Sequence, residues 1–160
     1  IDNPYLCARI LIKRFKNISK QMISFNYELE FQLENEEQYS SWISNVISSE
    51  NKKEGDINYI FCDDEYILEI NKQYLNHDYY TDIISFDYSV GNELHGDIFV
   101  SIERVCENTI EFEVTFDEEL KRVLAHGVLH YCGYKDKTEE EELLMRSKED
   151  EKIKMFHVEH

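Results

Sequence analysis

Apolar and polar residues alternate strictly from Ile23 to Leu33, with a large apolar side chain at every second position. This period of two predicts a strand that buries one face and exposes the other to water. Apolar residues with helical spacing follow from Tyr39 to Ile47, and Asn35 precedes them as the expected helix cap. Residues 52–55 are expected to end this helix, and Ile57–Cys62 is predicted to form a second strand.

The middle of the chain is predicted to contain one helix and two more strands. Asp63 or Asp64 can cap a helix that includes Tyr74 as its last apolar position, and residues 76–80 form a polar loop. Residues 82–89 and 96–101 are typical of two strands joined by a short hairpin connection, in which His95 is expected to be a turn residue.

The last third of the chain is predicted to be helical. Ser101 begins one helix, and the motifs Thr115-x-x-Glu118 and Thr138-x-x-Glu141 are capping boxes that open two more. Gly133 fits the left-handed position that closes the helix begun at Thr115. The pattern therefore predicts an α+β fold with four strands in a mixed sheet and about five helices.

Composition is that of a folded domain with an acidic surface. The 160 residues are 42% hydrophobic and carry a formal net charge of −17, although residues 1–21 are basic. An acidic body disfavours non-specific binding to nucleic acid, and we expect no DNA partner. No apolar run is long enough to span a membrane, so we expect no membrane partner either. Four scattered cysteines indicate reduced thiols and a cytoplasmic location.

Residues 1–21 differ in charge from the rest of the chain. The first strongly patterned segment opens at Met22, so we expect residues 1–21 to be an extension and residues 22–160 to form one domain. The alternative is an N-terminal helix that packs Ile10, Leu11 and Phe15 on the core.

The residues with the clearest chemistry are His126, His130 and Asp136. Histidines four positions apart on a helix share one face, so both imidazoles can reach one cation. Such a pair alone is more often solvated or buried in a core. Here Gly133 ends the helix and lets Asp136 turn back as a third ligand, which completes the open ligand set of a catalytic zinc site.

Zinc proteases with this spacing carry a glutamate directly after the first histidine, where it acts as general base. Gly127 occupies that position here, so the sequence keeps the metal-binding pattern without the peptidase base. Loss of such a group costs on the order of 10²–10⁴-fold in rate. A carboxylate elsewhere can take its place in a hydrolytic mechanism.

The segment His126–Asp136, which reads HGVLHYCGYKD, resembles the signature of the bacterial YbeY endoribonucleases. Residues 75–86 and 96–101 resemble the second signature of that family. The resemblance implies a zincin-like fold, one zinc ion per chain and hydrolysis of single-stranded RNA. It further implies maturation of the 16S rRNA 3′ end and ribosome quality control, with the small ribosomal subunit and its biogenesis factors as partners.

Two positions depart from the family pattern. Asp136 stands where the family usually has a third histidine ligand, which predicts a retained site with altered metal preference. Leu75 aligns with an arginine that is thought to contact RNA phosphate. His77 and the pair Lys135 and Lys137 are candidate replacements for that positive charge.

His77, Asp82 and Ser85 are the candidate catalytic residues. A carboxylate at Asp82 can act as the base that Gly127 cannot provide, or can orient a ligand histidine. Hairpin-edge or capping roles are the structural alternative for Asp82 and Ser85. At the level of the whole protein, two alternatives to the nuclease stay open: a zinc-stabilised module that binds ribosomes without catalysis, and a metal-dependent hydrolase of another substrate.

Overall fold

The computed structural model describes residues 22–76 and 80–156. Its strands are β1 Ile23–Tyr27, β2 Lys53–Cys62, β3 Ile83–Asp87 and β4 Glu93–Ser101. Its helices are α1 Glu36–Ser49, α2 Asp64–Leu75, α3 Ile102–Phe112, α4 Phe116–Tyr131 and α5 Glu139–Ile153. Within these residues the predicted α+β class, with a four-stranded mixed sheet and five helices, is confirmed.

The sheet has the order β1-β2-β4-β3 and places the only antiparallel strand of the described residues, β3, at one edge. Helices α1 and α4 pack on one face of the sheet, and α2 packs on the other. Helix α5 packs against α4 on the side away from the sheet. Helix α4, which carries the two histidines, therefore lies at the centre of the fold and ends beside the open edge at β3.

A continuous apolar core joins the sheet to α1 and α4. Fully buried side chains from all three include Ile23, Ile43, Ile57, Ile98, Leu124 and Val128. On the opposite face a smaller cluster forms where α2 packs on β2, β3 and β4, and it includes Ile67, Ile70 and Ile84. The side chains of the larger cluster are closely packed, and this packing fixes the position of α4 on the sheet.

The first strand is shorter than the alternation from Ile23 to Leu33 predicted. Tyr27 pairs with Phe61, and β2 ends one residue later at Cys62, so no partner exists for a longer β1. Beyond Tyr27 the alternation reflects side-chain burial and not strand pairing. Leu33 is buried, and Phe31 packs edge-on against Phe61.

Three other boundaries differ from the predictions. β2 begins at Lys53, within the segment predicted to end the first helix. A shift of register between Glu54 and Ile57 interrupts the alternation of apolar and polar residues along this strand. Asn35 caps α1 only with its backbone, since it adopts φ 60° and its side chain makes no cap hydrogen bond. β4 begins at Glu93, so His95 is a strand residue whose Nδ1 accepts a hydrogen bond from the Asp56 N–H.

The end of α4 is anchored to the sheet through a glycine. The Tyr131 hydroxyl donates a hydrogen bond of 2.9 Å to the carbonyl of Phe86 in β3. Gly96 of β4 leaves the space for this contact, because a Cβ atom there would overlap the Tyr131 hydroxyl and the Phe86 carbonyl. The residue next to His130 is thereby fixed to both strands of the hairpin.

The proposed N-terminal extension, residues 1–21, lies outside the described residues, so that boundary remains a prediction. Among the helices that the structure describes, none has the length and apolar character required to cross a membrane.

Candidate metal centre

Helix α4 sets the spacing of the two histidines. Thr115 begins the helix by accepting a hydrogen bond from the Glu118 N–H, and the apolar face of the helix packs on the sheet. His126 and His130 lie one turn apart on the same side, with side chains 21% and 31% exposed. The rings are therefore held by a buried helix and are still accessible to solvent.

A tight turn after α4 brings the third group back. Gly133 adopts φ +106°, and its N–H donates to the carbonyl of His130. The next N–H, of Tyr134, donates to the carbonyl of Leu129. This pair of bonds is the Schellman motif, which reverses the chain and confirms the predicted role of Gly133. Asp136 follows three residues later and faces the histidines.

Three ligand atoms converge at this point. His126 Nε2 lies 2.9 Å from His130 Nε2, and each of these nitrogens lies 3.2 Å from Asp136 Oδ2. Ligand atoms bound to one tetrahedral zinc ion at about 2.0–2.2 Å are about 3.3–3.5 Å apart. These three residues form the only group of at least three His, Cys, Asp or Glu side chains in the described part of the chain with spacing suited to a metal ion.

Hydrogen bonds on the far side of each ring orient the two histidines. His130 Nδ1 lies 2.9 Å from the carbonyl oxygen of Tyr134, and His126 Nδ1 lies 2.8 Å from Glu149 Oε2. Both oxygens accept, so Nδ1 is the donor in each bond, and Nε2 is the ring nitrogen that faces the other candidate ligands. Two imidazole nitrogens and one carboxylate oxygen within 3.2 Å of one another form a donor set that fits a divalent metal ion.

Glu149 of α5 also shapes the charge at the site. Its side chain is only 7% exposed, and Arg122 Nη1 donates to its other oxygen at 3.1 Å. Burial lowers the pKa of His126, but the hydrogen bond to Glu149 and the nearby charge of Asp136 outweigh burial and raise it above its usual value. The surroundings of His126 thus favour a positive charge.

The position after His126 faces the core and not the metal centre. A Cβ atom on Gly127 would lie 3.1 Å from side-chain atoms of Ile83 and Ile98, which hold the helix close to the sheet. A glutamate at this position would place its carboxylate in apolar surroundings, at a high desolvation cost. The close packing of α4 on the sheet therefore leaves little space for a protease glutamate at this position.

Between the metal centre and the edge strand lies a cavity of about 510 Å³, which we call the strand cavity. Its lining includes the three candidate ligands together with Asp82, Ser85, Leu75 and Lys137. Burial raises the pKa of Asp82 above its usual value, although the charge of His126 and a hydrogen bond from Asn108 oppose this. A carboxylate of raised pKa beside a metal centre is a candidate proton acceptor.

Comparison with known proteins identifies the family. The family model described as Endoribonuclease YbeY matches residues 22–157. The chain belongs to the YbeY family. Proteins named Endoribonuclease YbeY from Flavobacterium psychrophilum and Christiangramia forsetii are 70% identical over 137 residues and 60% identical over 142 residues. The alignments cover 86% and 89% of this chain, and 98% and 99% of the respective relatives.

A solved structure shows the same fold. The solution structure of TM1509 from Thermotoga maritima aligns with a TM-score of 0.58 and 27% sequence identity. The alignment covers 84% of this chain and 89% of that protein. The predicted resemblance to YbeY endoribonucleases is therefore confirmed at the level of both sequence and fold.

The residues predicted to contact the substrate of this YbeY-family chain do not all line the strand cavity. Asp82 and Ser85 line the strand cavity, whereas His77 lies outside the described residues and its role stays a prediction. Leu75 also lines the cavity. Of the two lysines proposed as replacements, Lys137 lines the cavity and Lys135 does not.

Glu149 is the residue of the site that the sequence did not reveal. It lies 23 positions after His126, within a helix so rich in acidic residues that no single carboxylate stands out. The one available signal was spacing, because Met145, Glu149 and Lys152 share the buried side of α5. Arg122, on α4, pairs with Glu149 and with Asp150.

Proposed function

We propose that this chain is a zinc-dependent endoribonuclease that cleaves single-stranded RNA at the His126–His130–Asp136 centre. The observation that supports it best is the convergence of three candidate ligand atoms within 3.2 Å of one another in a chain of the YbeY family. A divalent ion at these atoms would polarise a phosphoryl oxygen and make water nucleophilic near neutral pH.

Side chains of the strand cavity supply the remaining chemistry in this proposal. Asp82 accepts a proton from the attacking water, and its raised pKa makes it a stronger base than an ordinary aspartate. Asn108 Nδ2 donates to Asp82 Oδ2 at 3.1 Å and so orients the carboxylate. Lys137 and Ser85 line the path of the RNA, where an ammonium and a hydroxyl group can contact phosphate.

The cellular part of the proposal follows from the family resemblance. We expect cleavage to serve maturation of the 16S rRNA 3′ end and ribosome quality control in the cytoplasm. The small ribosomal subunit and its biogenesis factors are the proposed partners. The acidic charge of −17 supports recognition of a defined RNA within a particle over non-specific binding to nucleic acid.

The decisive experiment compares cleavage of a labelled single-stranded RNA by zinc-loaded wild-type protein, His130→Ala and Asp82→Asn. We expect His130→Ala to lose both zinc and cleavage. Asp82→Asn should keep its zinc and lose about 10²–10⁴-fold in cleavage rate. His95→Ala is the matched control, because His95 lies in β4 outside the candidate centre.

Each outcome separates the alternatives. Equal cleavage by wild type and His130→Ala would exclude the proposed centre as the active site. A wild-type protein that binds zinc and co-sediments with ribosomes without cleaving RNA would instead support the binding module. Leu75, in place of the family arginine, is the feature of the strand cavity that would favour that result.

A further inference from the structure

A second cavity lies beside His126, between α3, α4 and α5, and we call it the helix cavity. Its volume is about 630 Å³. Six carboxylic side chains contribute to its lining: Asp82, Glu119, Asp136, Glu139, Glu142 and Glu149. The basic side chains in its lining are Arg122 and Arg146. Even without Asp82 and Asp136, which the proposed RNA chemistry uses, the carboxylic side chains outnumber the arginines four to two, so this part of the cavity favours a cationic group.

Both arginines are already engaged with other groups. Arg122 donates to Glu149 at 3.1 Å and to Asp150 at 2.8 Å. Arg146 Nη1 lies 3.9 Å from Glu149, and its guanidinium group lies over the Phe112 ring at 5.9 Å. Among the described contacts, neither arginine makes a hydrogen bond or salt bridge to Glu119.

Glu119 is the unusual member of the lining. It lies two helical turns before His126 on α4, so both side chains point toward the same cavity. Glu119 is 3% exposed, and its Oε2 has no hydrogen-bond partner in the described part of the chain. Burial raises the pKa of this carboxyl group, despite the opposing charges of Arg122 and Arg146. Buried polar atoms are nearly always satisfied, and an exception is expected where a ligand completes the site.

Two exposed apolar side chains lie at the rim of the helix cavity. Phe112 at the end of α3 is 47% exposed, and Leu143 in the first turns of α5 is 67% exposed. Large apolar side chains beside carboxylates are typical of a surface that binds protein. A bare metal ion is a poorer match, because in the described residues only His126, His130 and Asp136 have metal-ligand spacing.

We propose that the helix cavity binds a basic segment of a protein partner. One lysine or arginine side chain of the partner enters the cavity and pairs with Glu119. An apolar side chain beside it packs on Phe112 and Leu143. This site adjoins the proposed RNA path, because the helix cavity and the strand cavity share Asp82, His126 and Asp136. Glu119, Phe112 and Leu143 line the helix cavity and not the strand cavity.

The test uses a short fluorescein-labelled peptide of alternating arginine and leucine, and a matched peptide with citrulline in place of each arginine. Citrulline keeps the shape of arginine without its charge. Fluorescence anisotropy at physiological salt should show at least about tenfold tighter binding of the arginine peptide to wild-type protein. Glu119→Gln should weaken that binding by about tenfold, while keeping the volume of the side chain.

Controls separate the cavity from general charge. Glu118→Gln removes the same charge from an exposed neighbour on α4 and should leave binding unchanged. Leu143→Ser, at an exposed position, should weaken both peptides without unfolding the protein. Equal binding of the two peptides, or equal losses in Glu118→Gln and Glu119→Gln, would overturn the proposal. So would an effect of Glu119→Gln on binding of a short single-stranded RNA, because the cavity would then belong to the RNA path.

Discussion

The two histidines of the candidate metal centre are supported by different kinds of structure. His126 donates to Glu149, a buried side chain on α5 that is itself held by Arg122. His130 donates to the backbone carbonyl of Tyr134, which the Schellman turn after α4 holds in place. One ring thus depends on a particular side chain in a distant helix, and the other depends on the course of the backbone.

This difference has an electrostatic consequence. A carboxylate behind an imidazole makes the ring a stronger ligand and contributes a full negative charge, whereas a carbonyl contributes only a dipole. The support of His126 can be removed by one substitution, because Glu149 acts through its side chain. The support of His130 persists in any variant that keeps the turn. The two regions should therefore respond very differently to mutation.

The largest effect is expected from Glu149→Gln. Glutamine can still accept a hydrogen bond from His126, so the variant removes mainly the negative charge behind the ring. We expect zinc affinity to fall about 10–100-fold, as is usual when a partner behind a ligand histidine is changed. Competition with a zinc-binding dye measures this affinity directly.

Glu140→Gln is the matched control for Glu149→Gln. Glu140 is exposed in the first turn of α5 and does not line either cavity, so its zinc affinity should equal that of wild type. Thermal unfolding without zinc would show whether both variants fold. Wild-type zinc affinity in a folded Glu149→Gln protein would show that the charge of Glu149 does not support the site.

Gly133→Ala tests the turn after α4, which supports His130. Its φ of +106° is unfavourable for alanine, and a Cβ atom there would meet no neighbour, so strain is the only expected penalty. We expect a loss of about 1–2 kcal/mol in the free energy of unfolding. Zinc affinity should fall only a few-fold, because the Tyr134 carbonyl still faces His130 once the turn forms.

Gly91→Ala provides the comparison for that strain. Gly91 has φ +60°, also with no neighbour to its missing Cβ, but it lies in the β3–β4 connection. Chemical denaturation should give similar losses for the two alanine variants, with zinc affinity changed only in Gly133→Ala. A loss of zinc affinity in Gly133→Ala as large as that in Glu149→Gln would show that the turn is not rigid.

The same contrast explains how far the sequence could predict this protein. The turn at Gly133 is local, and glycine there is a direct signal for a positive φ, so the convergence of His126, His130 and Asp136 was predictable. The α+β class was predictable too, because the periods of two and 3.6 are local properties. Glu149 was not, since only the packing of α5 on α4 brings it beside His126.

Errors in the predicted boundaries have a similar physical origin. The alternation from Ile23 to Leu33 reports burial, but a strand also needs a partner, and β2 ends too soon to provide one. The sequence shows that Gly127 stands where zinc proteases have their glutamate base. It does not show the close packing of Gly127 on Ile83 and Ile98, because that packing depends on how α4 lies on the sheet.

The smallest effect on the metal centre is expected from Glu50→Gln, which removes an outer support of the turn. Glu50 accepts a hydrogen bond of 2.9 Å from the Tyr134 hydroxyl and pairs with Lys148 and Lys152. Burial raises the pKa of Glu50, but the hydrogen bonds from Lys152 and Tyr134 outweigh burial and lower it below the usual value. The carboxylate therefore stabilises the fold when it is ionised.

Since the folded-state pKa of Glu50 is lowered, its contribution is complete above the usual glutamate pKa and is lost as the pH falls through the folded value. Glu50→Gln should cost about 1–2 kcal/mol at neutral pH, and the difference from wild type should shrink below a pH of about 4. Chemical denaturation of both proteins, at neutral pH and below a pH of about 4, measures this difference in the free energy of unfolding. Zinc affinity at neutral pH should change less than about threefold, well under the 10–100-fold loss expected for Glu149→Gln. A larger change would show that His130, like His126, depends on a distant carboxylate.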